Sequence, residues 1–347
     1  MSFLLHAPDA PGGLIGADPF DPLGMQLEAD PSLALIPPPG SGRLTTWTDG
    51  KPTTTTVHTP ITLDPGHNRL IDNENNAVIT GTTGNNTIIE IGTGATVTLG
   101  NGSSLVEALN GHETVTAGNG DQAIVLGGKD DSVTVGNTNG GKYDFTGIRT
   151  GDGGATVTGG NGNMIVSVGG KGNTITLGTG NDVVFTAHGC GDGDDPATTS
   201  TPAIVSADVI RLGNGVNHVF LGAGSGNTVY DGTGTDIVVG AHWGDDTFQI
   251  NAGGGTDVFR GFGNLTNGDA LDLTQILAGV TLDSDLSNLG TYVKVTSVTD
   301  TQNPLWTDTQ LSITGAGPAT ASVTLLNTGT QTLDSLLSHN TLVLPAH

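Results

Sequence analysis

Short apolar side chains recur along the middle of the chain with a period that no amphipathic helix produces. Ile88, Val97, Val106, Val115, Ile124 and Val133 stand nine residues apart without a slip. Several carry an apolar partner two positions on: Val97 with Leu99, Ile124 with Leu126, Val133 with Val135. A spacing of two puts both side chains on one face of a strand. The nine-residue repeat therefore reads as one short strand plus one turn. The ladder resumes at Val157, Ile165, Ile175 and Val183, again at Val209, Val219, Val229 and Ile237, and closes at Phe248 and Val258. Between the apolar segments lie Gly, Asn, Asp and Thr. Glycine at this density costs a helix about 1 kcal/mol per residue relative to Ala, and it supplies the positive φ that tight turns need.

Two units make one coil with a strand on each side. About sixteen units predict roughly eight coils stacked at about 4.8 Å, a rod on the order of 40 Å long. The expected class is all-β: a parallel β-roll or β-solenoid with about nine residues per strand and turn. Residues 136–154 and 187–207 break the ladder and read as loops leaving the solenoid.

The flanks have a different character. Residues 1–66 read as a Pro-rich N-terminal arm, with 11 of the 16 prolines before residue 66; proline fixes φ and removes backbone donors. Residues 67–262 are the repeats. In residues 263–347 glycine thins out, strand-like runs appear near 292–295, 311–313 and 323–326, and residues 274–277 and 332–337 suggest short helical turns. This segment reads as a small β-rich cap.

Composition narrows the function. With 57 glycines and 4% aromatic residues the chain cannot build one thick core, but stacked repeats need only a thin one. Ten Lys and Arg against 34 Asp and Glu give a net charge of −24. That excludes nucleic acid and anionic membrane as partners and suits a polyvalent cation. Cys190 stands alone, so no intramolecular disulfide forms. No apolar stretch approaches the roughly 18 residues of a membrane span, and residues 1–5 lack a signal-peptide pattern.

The candidate chemistry lies in four turns: Gly178-Thr179-Gly180-Asn181-Asp182, Gly232-Thr233-Gly234-Thr235-Asp236, Gly244-Asp245-Asp246, and Gly253-Gly254-Gly255-Thr256-Asp257. In each, an apolar residue follows two after the Asp: Val184, Val238, Phe248 and Phe259. Turn carbonyls and carboxylates from stacked turns are hard oxygen donors of the kind calcium takes. Gly178, Gly180, Asp182, Gly232, Gly234, Asp236, Gly244, Asp246, Gly253, Gly255 and Asp257 are thus the expected metal-binding set. Toward the N-terminus, around Asn101, Asn119, Asn161 and Asn173, the Asp position is lost, and Asp121 and Asp131 fall out of register. Calcium is expected mainly at residues 178–257.

These turns, with the passage through Gly268-Asp269-Ala270-Leu271-Asp272-Leu273 to a terminus free of Lys and Arg after Lys294, resemble the repeats-in-toxin (RTX, hemolysin-type calcium-binding repeat) substrates of type I secretion. The resemblance covers about residues 80–347. It implies a bacterial protein exported through an uncleaved C-terminal signal region, unfolded where calcium is scarce and folded by calcium outside the cell. No G-x-S-x-G elbow, P-loop or dinucleotide fingerprint occurs, and no catalytic residue stands out. The expected function is therefore structural: a calcium-binding component of the cell surface, extracellular matrix or a filament, with a role in cell adhesion among the expectations, self-associating through its arm and solenoid ends, with surface polysaccharide as an outside partner. Two alternatives stay open. One is a glycan- or ice-binding module using outward threonines such as Thr96, Thr98, Thr114, Thr116, Thr134, Thr156, Thr158 and Thr176. The other is a polysaccharide-acting β-helix enzyme.

Overall fold

The computed structural model describes residues 37–48, 51–139, 144–186, 206–222, 224–240, 245–262, 268–300 and 303–346. It is a parallel β-solenoid of two facing sheets. The chain alternates between them, so each strand pairs with the one a full coil later. In the first sheet Ile88, Val106, Ile124 and Ile148 sit directly above one another. In the second, Ile79, Val97, Val115, Val133, Val157 and Ile175 do the same. All are buried, and the two columns meet in a thin aliphatic core that runs the length of the molecule. Toward the C-terminal end the core thickens: Phe248, Phe259 and Phe262 pack with ring centroids 4.8–6.1 Å apart.

The first sheet has ten parallel solenoid strands, from Asn68–Asp72 to Thr256–Arg260. Ten coils, rather than the eight expected, make a rod of roughly 45 Å. Part of the difference comes from stretches that read as something else. Within residues 136–154, read as a loop, Thr146–Arg149 is a regular strand between its neighbours; only the turn before it is enlarged. The strands Gly42–Thr48, Lys51–Val57 and Ile61–Leu63 lie inside the stretch read as an arm. The first two form an antiparallel hairpin on Asn68–Asp72, and the third begins the second sheet. Pro52 is accommodated because its strand is the outermost of the sheet. At the other end Thr320–Leu325 adds in parallel to Thr256–Arg260, followed by the antiparallel strands Thr307–Thr314 and Val293–Thr299. Thr332 caps the short helix Leu333–Ser338 by accepting from the Ser335 N–H, and Leu342–Val343 closes the second sheet.

The nine-residue ladder keeps its face through Val133, and Val157, Ile175, Val219, Val229 and Phe248 also fill the core, but the other later members do not. Ile165, Val183, Val209, Ile237 and Val258 face outward and are half-buried, while Val166, Val184, Ile210, Val238 and Phe259 fill the core. The cause is coil length. Stacked turn residues are 18 apart early in the chain but 24, 35, 19 and 21 apart later. With the spacing irregular, each of these five falls one residue before the buried position, and a slip of one exchanges the two faces of a strand.

Candidate cation site

Each turn delivers one polar side chain into the corner of the solenoid, where it meets the backbone of the adjacent coil. On the turn entering the first sheet, Asp182 Oδ1 accepts from the Met164 N–H at 2.9 Å, Asn217 Oδ1 accepts from the Asp182 N–H at 3.2 Å, and Asp257 Oδ1 accepts from the Asp236 N–H at 3.2 Å. Asn217 also donates through Nδ2 to Asp236 Oδ1 at 2.7 Å. On the opposite turn the same device runs through Asn173, Asp208, Asn227, Asp246 and Asp269. These are internal ladders. They satisfy backbone donors that the turns would otherwise bury without partners.

The geometry divides the expected metal-binding residues. Asp182, Asp236 and Asp257 share one turn stack, Asp246 belongs to the opposite one, and Gly244 lies outside the described residues. Asp182 is separated from Asp236 by the coil that carries Asn217. The motif glycines Gly178, Gly180, Gly232, Gly234, Gly253 and Gly255 do not have positive φ. They are required by the closeness of stacked turns. A Cβ at Gly232 or Gly234 would collide with the carbonyl oxygens of Gly213 and Gly215 one coil away.

Three carboxylates converge: Asp231, Asp236 and Asp257, each offering an oxygen within 4.8 Å of the others, all buried. Asp231 was not expected. Its place in the coil belongs to the core column that holds Leu177, Leu212, Ile250 and Leu273 in neighbouring coils. A carboxylate has been substituted into an apolar stack. Its Oδ1 accepts from the Asn251 N–H at 2.6 Å, and Asp236 Oδ2 accepts from the Gly232 N–H at 2.9 Å. The Oδ2 atoms of Asp231 and Asp257 meet no N–H or hydroxyl donor, leaving only a proton shared between the two carboxyls. Burial and then the Asp257 charge push Asp231 up to about 9. Burial and then the Asp236 charge push Asp257 up to about 7, and burial raises Asp236 as well. Without a cation such a group holds protons that carboxylates normally release; a divalent cation would replace them. The donors present are hard, anionic and partly unsatisfied, which fits calcium coordination by carboxylates and turn carbonyls.

A second buried acidic group lies among the early coils. Burial and then the Asp72 charge push Glu90 up to about 8. Burial raises Asp72 to about 6, and burial with its contact to Glu113 raises Asp131 to about 7. Asp131, read as out of register, is in register with the turn entering the second sheet: its Oδ1 accepts from the Glu113 N–H at 3.1 Å. Asp121 accepts from the Asn139 backbone and side chain on the surface.

The asparagines that replace Asp in the early turns accept backbone hydrogen bonds from the stacked turns. Asn101, Asn119 and Asn137 each accept, through Oδ1, the backbone N–H of the next stacked residue, at 2.9, 2.9 and 2.7 Å, and Asn161 accepts from Thr179 at 2.9 Å. This asparagine stack ties successive turns together by hydrogen bonds. Asn173 instead points inward and belongs to the internal ladder. The eight threonines named above all project outward from the second sheet.

Taken together, the fold and the site define a capped parallel β-solenoid with polar ladders in its corners and one acidic trio in its C-terminal coils. No protein-family model matches the chain, and neither the curated proteins nor the solved structures yield a match. No helix among the described residues is long and apolar enough to cross a membrane.

Proposed function

We propose that this chain is an exported structural β-solenoid of the bacterial cell surface, extracellular matrix or a filament, whose C-terminal coils are locked by calcium. The observation that carries the reading is the Asp231, Asp236 and Asp257 trio: three buried carboxylates with two oxygens lacking N–H or hydroxyl donors. In the metal-free chain burial and mutual repulsion force such groups to hold protons instead of charge. A divalent cation would displace those protons, and its binding would become folding free energy. Asp182 lies farther from the trio, and Asp246 serves the opposite turn, so the reading assigns the ion to Asp231, Asp236 and Asp257 with carbonyls of the adjoining turns. Export through the C-terminal region, and folding only where calcium is abundant, rest on the RTX resemblance and on the net charge of −24.

The thin continuous core supports a structural role, since the solenoid itself is the bulk of the described chain. Self-association would use its ends. The first sheet ends on the seven-residue strands Lys51–Val57 and Val293–Thr299, where Lys51, Pro52 and Lys294 blunt edge pairing. The second ends on the short strands Ile61–Leu63 and Leu342–Val343. The test is calcium titration of the chelated full chain, followed by calorimetry, circular dichroism and sedimentation. Saturable calcium binding with a gain of β signal is expected, and a larger sedimenting species if the ends pair. A fully folded chain that takes up no calcium would overturn the reading.

A further inference from the structure

The outer face of the second sheet carries a regular array that the cation site does not use. Thr80, Thr98, Thr116, Thr134, Thr158 and Thr176 are stacked in strict register on consecutive strands. Two residues earlier on each strand from Thr96 to Thr174 stands a second outward column, made of Thr or Ser throughout. Both columns are exposed or half-exposed, while the residue between them on every strand is buried. None of these hydroxyls makes a hydrogen bond within the protein among the described residues. The array therefore presents unused hydroxyls and methyl groups to the outside.

Three features restrict what such a face can hold. Its repeat is set by the backbone: about 4.8 Å from strand to strand and roughly 6.6 Å between alternate residues. Threonine is β-branched and stiff about χ1, so the hydroxyls are held on that grid at little entropic cost. The two columns contain no charged and no aromatic residue over these coils, in a chain of net charge −24. A charged ligand finds no partner there, and a sugar ring finds neither an aromatic plate nor a carboxylate to grip its hydroxyls. What matches a rigid, uncharged, two-dimensional grid of hydroxyls and methyls is a ligand that is itself a periodic lattice of hydrogen-bonding oxygens. We infer that this face binds ordered water at the surface of ice.

The face has a defined limit. Beyond Thr176 the same column continues with Arg211, Tyr230, Gln249 and Asp272, which break the grid by size and charge. The binding face is thus confined to the early coils, away from Asp231, Asp236 and Asp257, and it does not depend on the calcium reading.

The test is ice-crystal growth with the full chain, in calcium, scored by recrystallisation inhibition and by incorporation into a growing ice hemisphere. Thr116→Lys places a charge at the centre of the grid; Thr247→Lys places the same charge on the outer face of a late coil. Circular dichroism and thermal melting verify that each variant is folded. The wild type and Thr247→Lys are expected to inhibit recrystallisation and enter the ice, and Thr116→Lys to lose both activities. Absence of ice binding by the folded wild type overturns the inference, as does equal loss in both variants. Pull-down by crystalline cellulose or chitin in place of ice would overturn it in favour of a glycan surface. Calcium binding is read separately by calorimetry, so failure of either proposal is recognisable without the other.

Discussion

Asp231→Leu offers the sharpest separation between a carboxylate that serves the fold and one that serves a cation. In the metal-free protein Asp231 holds its proton past neutral pH because burial and Asp257 push it up to about 9. A carboxyl that ionises near 3.8 in the unfolded chain but stays protonated in the fold at pH 7 costs about 4 kcal/mol, at about 1.4 kcal/mol per tenfold change in proton affinity. Leucine removes that cost and restores the apolar column between Leu212 and Ile250, adding about 2 kcal/mol of burial. Against this, the Asn251 N–H loses its acceptor, about 1 kcal/mol, and an imperfect fit costs about 1 kcal/mol more. In chelator the variant should therefore be more stable than the wild type by about 4 kcal/mol. In calcium at a hundredfold its dissociation constant the wild type gains about 2.7 kcal/mol, and the variant gains nothing. Denaturant unfolding with and without chelator, read at Trp and far-ultraviolet signals, measures both differences. A variant less stable than the wild type in chelator, or one that keeps the calcium increment, would refute the reasoning.

Three further outcomes test the frame around that site. Glu90 is raised to about 8 by burial, so its contribution to stability is complete below about 4.5 and lost as pH rises through about 8; Glu90→Gln should flatten that fall, by at most about 5 kcal/mol between the two ends, in a pH series of melts run in chelator. Gly232→Ala drives a methyl into the Gly213 carbonyl, and should lower stability by about 3 kcal/mol or more in calcium and chelator alike; an unperturbed melt would mean that the stacked register is wrong. Asn119→Ala removes one step of the outer asparagine stack and should cost only about 1 kcal/mol with no effect on calcium affinity, whereas a loss of calcium binding would restore the asparagines as ligands.

Much of this fold was legible because a solenoid writes its geometry directly into periodicity. From Ile88 to Val133 the coils are equal in length, so a count of nine names the buried residue on every strand. Once turns of other lengths intervene, the apolar spacing becomes irregular and admits Ile165 or Ile237, each one residue before the buried position, while the apolar residue two after each turn Asp points to Val184 and Val238, which are the buried ones. The turn motif held its register because it is anchored to the backbone at each corner, whereas the period accumulates every insertion. The strand Thr146–Arg149 was hidden for the same reason: Gly147 and Arg149 weaken its apolar signal, and only stacking on Ile124 and Val166 identifies Ile148 as core. The hairpin of residues 42–57 was hidden by its threonines and by Pro52, which an outermost strand tolerates.

The site was legible in its residue types and not in its members. Asp236 and Asp257 follow from the turn motif, but that motif groups them with Asp182, a coil away beyond Asn217, and with Asp246 on the opposite turn. Asp231 escaped because a lone aspartate beside Gly232 looks like an ordinary turn former. Its signal exists only in two dimensions: aligned coil on coil, it is a carboxylate in the column of Leu177, Leu212, Ile250 and Leu273. The same alignment explains why the chain can divide its labour. On the exposed side of the early turns asparagine suffices, since an amide accepts the backbone N–H without a charge, while the corners of those coils bury Asp131 and Glu90. Aspartate in the late corners performs that hydrogen bond too, at the expense of desolvating a carboxylate. That extra cost is unnecessary for the turn itself. Its recurrence at Asp236 and Asp257, together with a third carboxylate set into the core at Asp231, is what a fold would carry if its last coils were meant to close only when a cation arrives.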